Sequence, residues 1–412
     1  MKKDINFLRD QYNKYIYPKP SENLEDDYIK KNIRPVTDPI LFWHRIFPER
    51  PQSLKELKIL IAGCGTHEAS ILALFHPNHS ITGIDLSEKS LDHNRYLINK
   101  HNIKNLKLIC GDFRDIQFEE NFDYIICSGV IHHLEDPGSA LNYFYKNLKK
   151  DGSLALMLYG DKINFSIKEI KKVFDKLNLE QNNQSINFVK KLLSTLNSKH
   201  PIKLFSEIAP DIKFDAGVVD FCLHKSEKFF SIREIIELLK RYNFVIKTLN
   251  NGTIFSLTKF FFNEKEYLDK VRSLNLEEKL SLGQILNWND RRISFVCTNK
   301  DNMKNSIIYN MSKISSFYVG KNPEIKYSIN TSKLNMNING ELVSVHLDKF
   351  DSSMWEKLLS GKKKFIEILD YFDSSSKKEV ENILLFLAEN FFLDLSFYPI
   401  NYLDVYNQDS QL

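Results

Sequence analysis

Residues 58–65, Lys-Ile-Leu-Ile-Ala-Gly-Cys-Gly, decide the fold, because a short apolar run ends directly in two closely spaced glycines. Lys58–Ala62 has the apolar, β-branched content of a strand covered on both faces. Gly63 and Gly65 let the backbone turn sharply and approach a ligand closely. The helical pattern that follows, Glu68–Phe75, aims its first N–H groups at the same place. Two glycines alone are a weak sign. A dinucleotide fingerprint needs a third glycine, and Glu68 stands there, where its charge repels a pyrophosphate. A nicotinamide or flavin dinucleotide is therefore disfavoured.

The chain on either side supports an α/β reading. Ser80–Ile84, Leu106–Cys110, Phe122–Cys127 and Leu154–Tyr159 are further short apolar runs, with helical patterns at Glu88–Lys100 and Pro137–Lys149 between them. Ser87 is placed to cap the first of these helices. Asp136 with Pro137 starts the second, and Asp151-Gly152 is expected to end it with a residue of positive φ. Repeated β–α–β order predicts a parallel, Rossmann-like sheet covered by helices on both faces. Ser231 caps another helix to Arg241, and runs at Phe244–Leu249 and Arg292–Cys297 complete seven strands around an insertion from Glu264 to about Leu286.

Other regions break this rhythm. Residues 1–50 are aromatic and proline-punctuated and are expected to form a helical start and an irregular wrap, an aromatic lid. Residues 161–229 are mainly helical, notably Ile167–Leu177 and Ile186–Leu196, and form a substrate or cap insertion. The Rossmann-like domain is thus assigned to 51–160 and 230–300. Residues 301–412 make a small α+β module, with a hairpin turn at Asn339-Gly340 and helices at Ser352–Leu359, Lys364–Phe372 and Lys377–Asn390. Separated by Gly361 and Ser374–Ser376, these helices resemble a winged-helix module, which leaves docking of a protein partner, closure of a homodimer, or no partner as alternatives.

Composition narrows the classes. A chain of 412 residues suits two or three packed units. With 57 Lys and Arg against 53 Asp and Glu, the net charge of +4 is too small to argue for a nucleic-acid groove. No apolar run is long enough to span a bilayer, and Met1–Asp10 has no apolar core of a signal peptide. Cys64, Cys110, Cys127, Cys222 and Cys297 form no CxxC pair and no metal-like cluster with the histidines, so a reducing cytoplasm and no metal site are expected.

Three further stretches carry chemistry. Asp85, ending Gly83-Ile84-Asp85-Leu86-Ser87, is placed to take both hydroxyls of a ribose; the plainer alternative is a helix-capping acid. Gly111-Asp112-Phe113 sets an acid for an adenine amino group beside an aromatic ring, or makes a polar turn. Ser128 to Pro137 leaves the fourth strand near the topological switch point, where open α/β sheets bind ligands. Adjacent side chains of an extended segment face opposite sides, so one of His132 and His133 is expected to reach the pocket and the other to pack.

In order and spacing, Ile59–Gly65, Gly83–Ser87, Gly111–Asp112 and Cys127–Pro137 resemble the ligand-binding motifs of class I S-adenosylmethionine-dependent methyltransferases, over residues 55–160. With Tyr15–Pro20, Leu156–Gly160 and Val219–His224, the longer pattern resembles a bacterial methyltransferase subfamily and is similar to bacterial protein-lysine methyltransferases. The resemblance implies S-adenosylmethionine as cofactor. It puts the methionine part on Gly63 and Gly65, the ribose on Asp85 beside Leu86, the adenine on Asp112 and Phe113, and the methyl-facing wall at Ser128, Gly129 and Ile131. Two departures stand out: Ile61 replaces an acid before the first glycine, and His67 replaces a later glycine. His67 and Glu68 are candidate substitutes for that acid.

The methyl acceptor, a protein side chain or a small molecule, is not legible. Methyl transfer needs position, orientation and exclusion of water, plus a base where the acceptor must lose a proton. Candidate bases are His132, His133, Tyr159, Asp220 and His224, each of which also has an ordinary packing role. Tyr12, Tyr15 and Tyr17 are candidates for a lid whose faces suit a cation, or for plain packing on the sheet edge. No Asn-Pro-Pro-Tyr segment follows the fourth strand, which further argues against nucleic-acid bases as acceptors. The rival is a non-catalytic methyltransferase-like binding protein acting through its C-terminal module. Ile61 and His67 motivate it; Asp85, Asp112 and Ser128–His133 speak against it.

Overall fold

The computed structural model describes residues 2–31, 33–53, 56–323, 325–330, 333–338, 341–346 and 357–401. The chain divides into two compact units: the first is Met1–Pro35, Lys55–Phe244 and Trp288–Ser294, the second Val36–Leu54, Val245–Asn287 and Phe295–Leu412.

Helix α1 (Lys2–Lys14) opens the first unit, and the short helix α2 (Trp43–Ile46) belongs to the second. Then come β1 (Lys58–Ala62), α3 (Glu68–Phe75), β2 (Ser80–Asp85), α4 (Glu88–His101), β3 (Leu106–Cys110), β4 (Phe122–Ser128), α5 (Pro137–Asn147) and β5 (Leu148–Tyr159). The insertion is α6 (Phe165–Lys176), α7 (Asn183–Thr195), α8 (Pro201–Ile208) and α9 (Asp215–Cys222), after which α10 (Ile232–Arg241) leads to β6 (Phe244–Leu249). Helices α11 (Lys265–Ser273) and α12 (Leu276–Asn287) precede β7 (Arg292–Asn299).

These strands form the expected seven-stranded sheet, in the order β3-β2-β1-β4-β5-β7-β6. Strand β1 pairs in parallel with β2 on one side and β4 on the other, so the strand order reverses there. Ile59, Leu60, Ile61, Ile125 and Ile126 are fully buried, as a sheet covered on both faces requires. The carboxyl ends of β1, β2 and β4 open onto one crevice, the place an open α/β sheet offers a ligand.

The predicted caps form. Ser87 Oγ accepts from Ser90 N, Asp136 from Gly138 N with Pro137 in the first turn, and Ser231 makes a reciprocal capping box with Glu234. The expected helix end at Asp151-Gly152 does not form. Helix α5 ends at Asn147, and Gly152 lies inside β5 without positive φ. Between Phe122↔Leu148 and Tyr124↔Ser153 the register slips, so β5 bulges there. A Cβ on Gly152 falls 2.8 Å from Leu148 Cδ1, so the glycine serves close packing inside the bulge. An Asp-Gly pair suits a bulge as well as a helix end.

The second unit gathers three chain segments. Its sheets are β11 (Glu341–His346)-β10 (Lys333–Ile338)-β9 (Lys326–Asn330) and β12 (Ser360–Lys364)-β8 (Tyr318–Lys321)-β13 (Leu393–Ser396). Helices α13 (Phe365–Leu369) and α14 (Ser374–Glu389) pack with the second of these sheets around Phe317, Val319, Ile368, Leu384 and Phe392. The turn at Asn339-Gly340 lies outside the described residues, between antiparallel β10 and β11. Most of the expected helix Ser352–Leu359 also lies outside them. Ser374–Ser376 do not separate helices. They form the first turn of α14, because Asp373 accepts from the amides of Ser375 and Ser376 and caps it. Gly361 likewise sits within β12.

Buried ions tie this unit together. Asp394 on β13 accepts from His44 Nε2 at 2.6 Å and Arg45 Nε at 3.0 Å, both on α2. The same guanidinium donates to Asn250 O and to Asn322 Oδ1. Among the described residues, no helix is long and apolar enough to cross a membrane.

Candidate active site

The glycine turn after β1 is shaped by its neighbours. Gly63 has φ +78°, and a Cβ there falls 2.3 Å from Val130 Cγ2 on the loop after β4. No other residue fits. Asp85, at the end of β2, accepts from Gly65 N through Oδ2 and from Ser87 N through Oδ1, both at 2.8 Å. Asn94 Nδ2 donates to Gly65 O and fixes the turn from α4. Burial pushes the Asp85 carboxyl upward, while the amides of Ser87 and Gly65 oppose that shift. Each carboxylate oxygen still has a lone pair for a ligand hydroxyl.

After β3, Asp112 caps the turn Phe113–Asp115 and pairs with Arg114, whose Nη2 lies 2.7 Å from Asp112 Oδ2. Phe113 stacks on Phe144, with centroids 5.2 Å apart. Asp112 is thus held both as a polar turn and as a wall of the crevice. His67 uses both ring nitrogens, on Tyr28 and Thr66, and burial pushes it down to about 4. It is a neutral, engaged side chain and no stand-in for an acid.

A cavity of about 250 Å³ occupies the crevice. Gly63, Gly65, Asp85, Leu86, Asp112, Phe113, Ser128 and Gly129 all line it, as do Tyr12, Tyr17, His133, Tyr159 and Asp220. Four expected residues do not reach it. Ile131 is fully buried while Val130 forms the wall, and Tyr15 instead donates to Gln181 O. His132 and His224 lie behind the wall: His132 packs on Tyr159 at 4.2 Å, and His224 stacks on His133 at 4.1 Å. The histidine pair lies in a tight 3-10 turn, Ile131–His133, in place of the extended segment expected. His133 nevertheless faces the cavity and His132 does not.

Electrostatics set the Asp220 side of the cavity apart. Asp220, on α9 of the insertion, accepts from Tyr12 OH at 3.1 Å, while its Oδ2 is buried without a hydrogen-bond partner. Burial and the nearby Glu227 push this carboxyl up to about 7. Burial lowers His133 to about 3, with Lys171 adding to the effect, and holds His132 and His224 well below the usual range. All three are neutral at pH 7. Burial also raises Tyr12 and Tyr159, which stay protonated. Sequence reading missed Arg292 on the wall and Glu227 behind it. No local signal marks Glu227, whose ion-pair partner Lys171 is 56 positions away, at 2.9 Å.

Comparison with known proteins gives the family and the fold. Residues 53–200 match the family model of a methyltransferase domain. The chain is 24% identical over 228 residues to malonyl-[acyl-carrier protein] O-methyltransferase of Acetivibrio thermocellus, covering 54% of this chain and 76% of that protein. It is 31% identical over 104 residues to demethylmenaquinone methyltransferase of Listeria welshimeri, a match spanning 24% of this chain and only 44% of that protein. In fold it is similar to PKMT2 of Rickettsia typhi, with TM-score 0.62, 13% identity, and coverage of 92% of this chain and 77% of that one.

Proposed function

This chain is a class I S-adenosylmethionine-dependent methyltransferase, and we propose that it methylates an amine nitrogen received at the Tyr12–Asp220 wall of the cavity. The residues present suit the cofactor: Gly63 and Gly65 offer close backbone approach, Asp85 two carboxylate oxygens for ribose hydroxyls, and Asp112 with Phe113 a polar and an aromatic contact for adenine. When bound, S-adenosylmethionine supplies an electrophilic methyl group on a sulfonium, so transfer is an in-line displacement.

The observation that carries the amine reading is Asp220. A buried carboxylate oxygen without a partner is costly, and an ammonium or amine N–H relieves that cost. As the nitrogen gains a methyl it gains positive charge, and ionised Asp220 stabilises that charge where water is excluded. Tyr12 orients the carboxylate by its hydrogen bond, and the faces of Tyr12, Tyr17 and Tyr159 suit a cation. Neutral His133 on the same wall adds no charge that would repel a cationic acceptor. In the same reading the insertion 161–229 forms the acceptor side, since it contributes Asp220.

The test is methyl transfer from labelled cofactor to lysine-containing peptides, proteins and small amines, with Asp220→Asn in parallel. Base-stable label on nitrogen, lost in the variant, supports the reading. An oxygen acceptor is the second reading, favoured by Arg292 on the same wall, which suits a carboxylate. Label released by mild base as methanol decides for the ester and against the amine.

A further inference from the structure

Behind the cavity wall, the loop after β4 and the chain leaving the insertion bring three ligand-type side chains together and leave them unsatisfied. His132 is fully buried, and neither of its ring nitrogens has a hydrogen-bond partner. His133 Nδ1 has none either. Glu227 gives Oε2 to Lys171 at 2.9 Å, but its Oε1 is buried and unpartnered. One ligand atom from each of these three residues lies within 4.8 Å of the others.

Leaving a buried polar atom unpaired costs about 1–3 kcal/mol, and here several share one place. A single water has two protons to donate and cannot meet three lone pairs at once. A cation meets all three. Each imidazole has an unpartnered ring nitrogen, and the neutral ring with its lone pair is the form that binds metal. His224 is excluded by its own hydrogen bond. Its Nδ1 accepts from Ser226 N at 3.1 Å, so Nε2 carries the proton and offers no lone pair.

We propose that His132, His133 and Glu227 bind one divalent transition-metal ion. Two imidazole nitrogens and one carboxylate oxygen are a donor set for zinc, and hard cations such as magnesium prefer oxygen alone. The ion ties the turn after β4 to the chain leaving the insertion, more than 90 positions apart in sequence, and so fixes His133 on the cavity wall. Its role is positioning, and it does not depend on which acceptor the enzyme takes.

The experiment uses the full chain, purified from zinc-supplied cells, with metal per chain measured by elemental mass spectrometry. The chelator-stripped protein is then titrated with Zn2+ against a chromophoric competitor, and with Co2+ by visible absorption. One zinc per chain and a saturable cobalt spectrum are expected. His132→Gln and Glu227→Gln are expected to weaken zinc binding beyond the roughly 10–100-fold loss that removing a supporting partner causes. His200→Asn, on the N-cap of α8, leaves it unchanged. The cobalt spectrum of the unmodified chain tests the site even where a variant fails to fold. Folded protein that binds neither ion, or whose binding ignores both substitutions, overturns the proposal. Cofactor titration in the same samples reads the methyltransferase site separately, so one reading can fail without the other.

Discussion

At Gly63 one hydrogen atom in place of a methyl group keeps the crevice open. Gly63→Ala puts a Cβ 2.3 Å from Val130 Cγ2 at a positive φ, a strain of about 1–3 kcal/mol before the contact is counted. Calorimetric titration with S-adenosylmethionine is expected to show at least a tenfold loss of affinity, since 1.4 kcal/mol is tenfold. Asp85→Asn keeps the shape and removes the charge, and is expected to weaken the same titration by about 10–100-fold. Unchanged affinity in both variants removes the proposed cofactor contacts. Asp220 controls the pH response. Tyr12, Tyr17, Tyr159, Asp211, Glu227 and Lys171 act on its carboxyl, which reaches about 7. The rate therefore rises with pH through about 7 as Asp220 ionises, and Asp220→Asn lowers the rate and flattens that limb. Stability moves the other way. The folded carboxyl keeps its proton to about pH 7 against 3.8 when exposed, so its contribution is full below 3.8 and lost as pH rises through about 7. Melting temperatures of the cofactor-free protein between pH 4 and 8 are expected to fall relative to Asp220→Asn; parallel curves contradict the assignment. These residues differ in how visible they are in sequence. Gly63 and Asp85 announce themselves because a glycine turn and a strand-end acid have local chemistry. Glu227 and Arg292 do not, because their roles come from neighbours distant in the chain.

Among the elements, the sheet strands and helix starts were the most legible. Buried parallel strands are short apolar runs, and caps need particular side chains at particular places. Ser231 shows how local this is, since its capping box with Glu234 is complete within four residues. Ser231→Ala is expected to cost about 1 kcal/mol, read as a shift of the denaturant midpoint with an unchanged slope. A shift below measurement error shows that α10 is held by packing alone. Where one dipeptide serves two geometries, sequence reading chose wrongly. Asp151-Gly152 fits a helix end and also the bulge in β5, and only the pairing of β5 with β4 separates them. Ser374–Ser376 look like a linker until Asp373 turns them into a helix start. His133 alone lines the cavity and His132 packs behind it, but through a 3-10 turn that also brings both toward Glu227.

For the whole molecule, the chain does not build its two units one after the other. Residues 36–54 join the second unit before most of the first has been read, and Asp394 closes onto His44 and Arg45 across some 350 positions. Asp394→Asn leaves a buried guanidinium and imidazole without their anion, and is expected to destabilise the second unit by about 3–5 kcal/mol. Calorimetric unfolding checks this: with two units a single transition is not required, and the transition of the second unit should move. A profile identical to the parent removes the cluster from the stability of that unit. Sequence alone determined the α/β class, the seven strands, the glycine turn and the acids at strand ends, because each depends on contacts within a few residues. Tertiary structure alone decided which tyrosines reach the cavity and which histidine faces it. It also decided that Asp220, Glu227 and Lys171 meet the loop after β4, because burial and charge at those positions are set by side chains that only folding brings together.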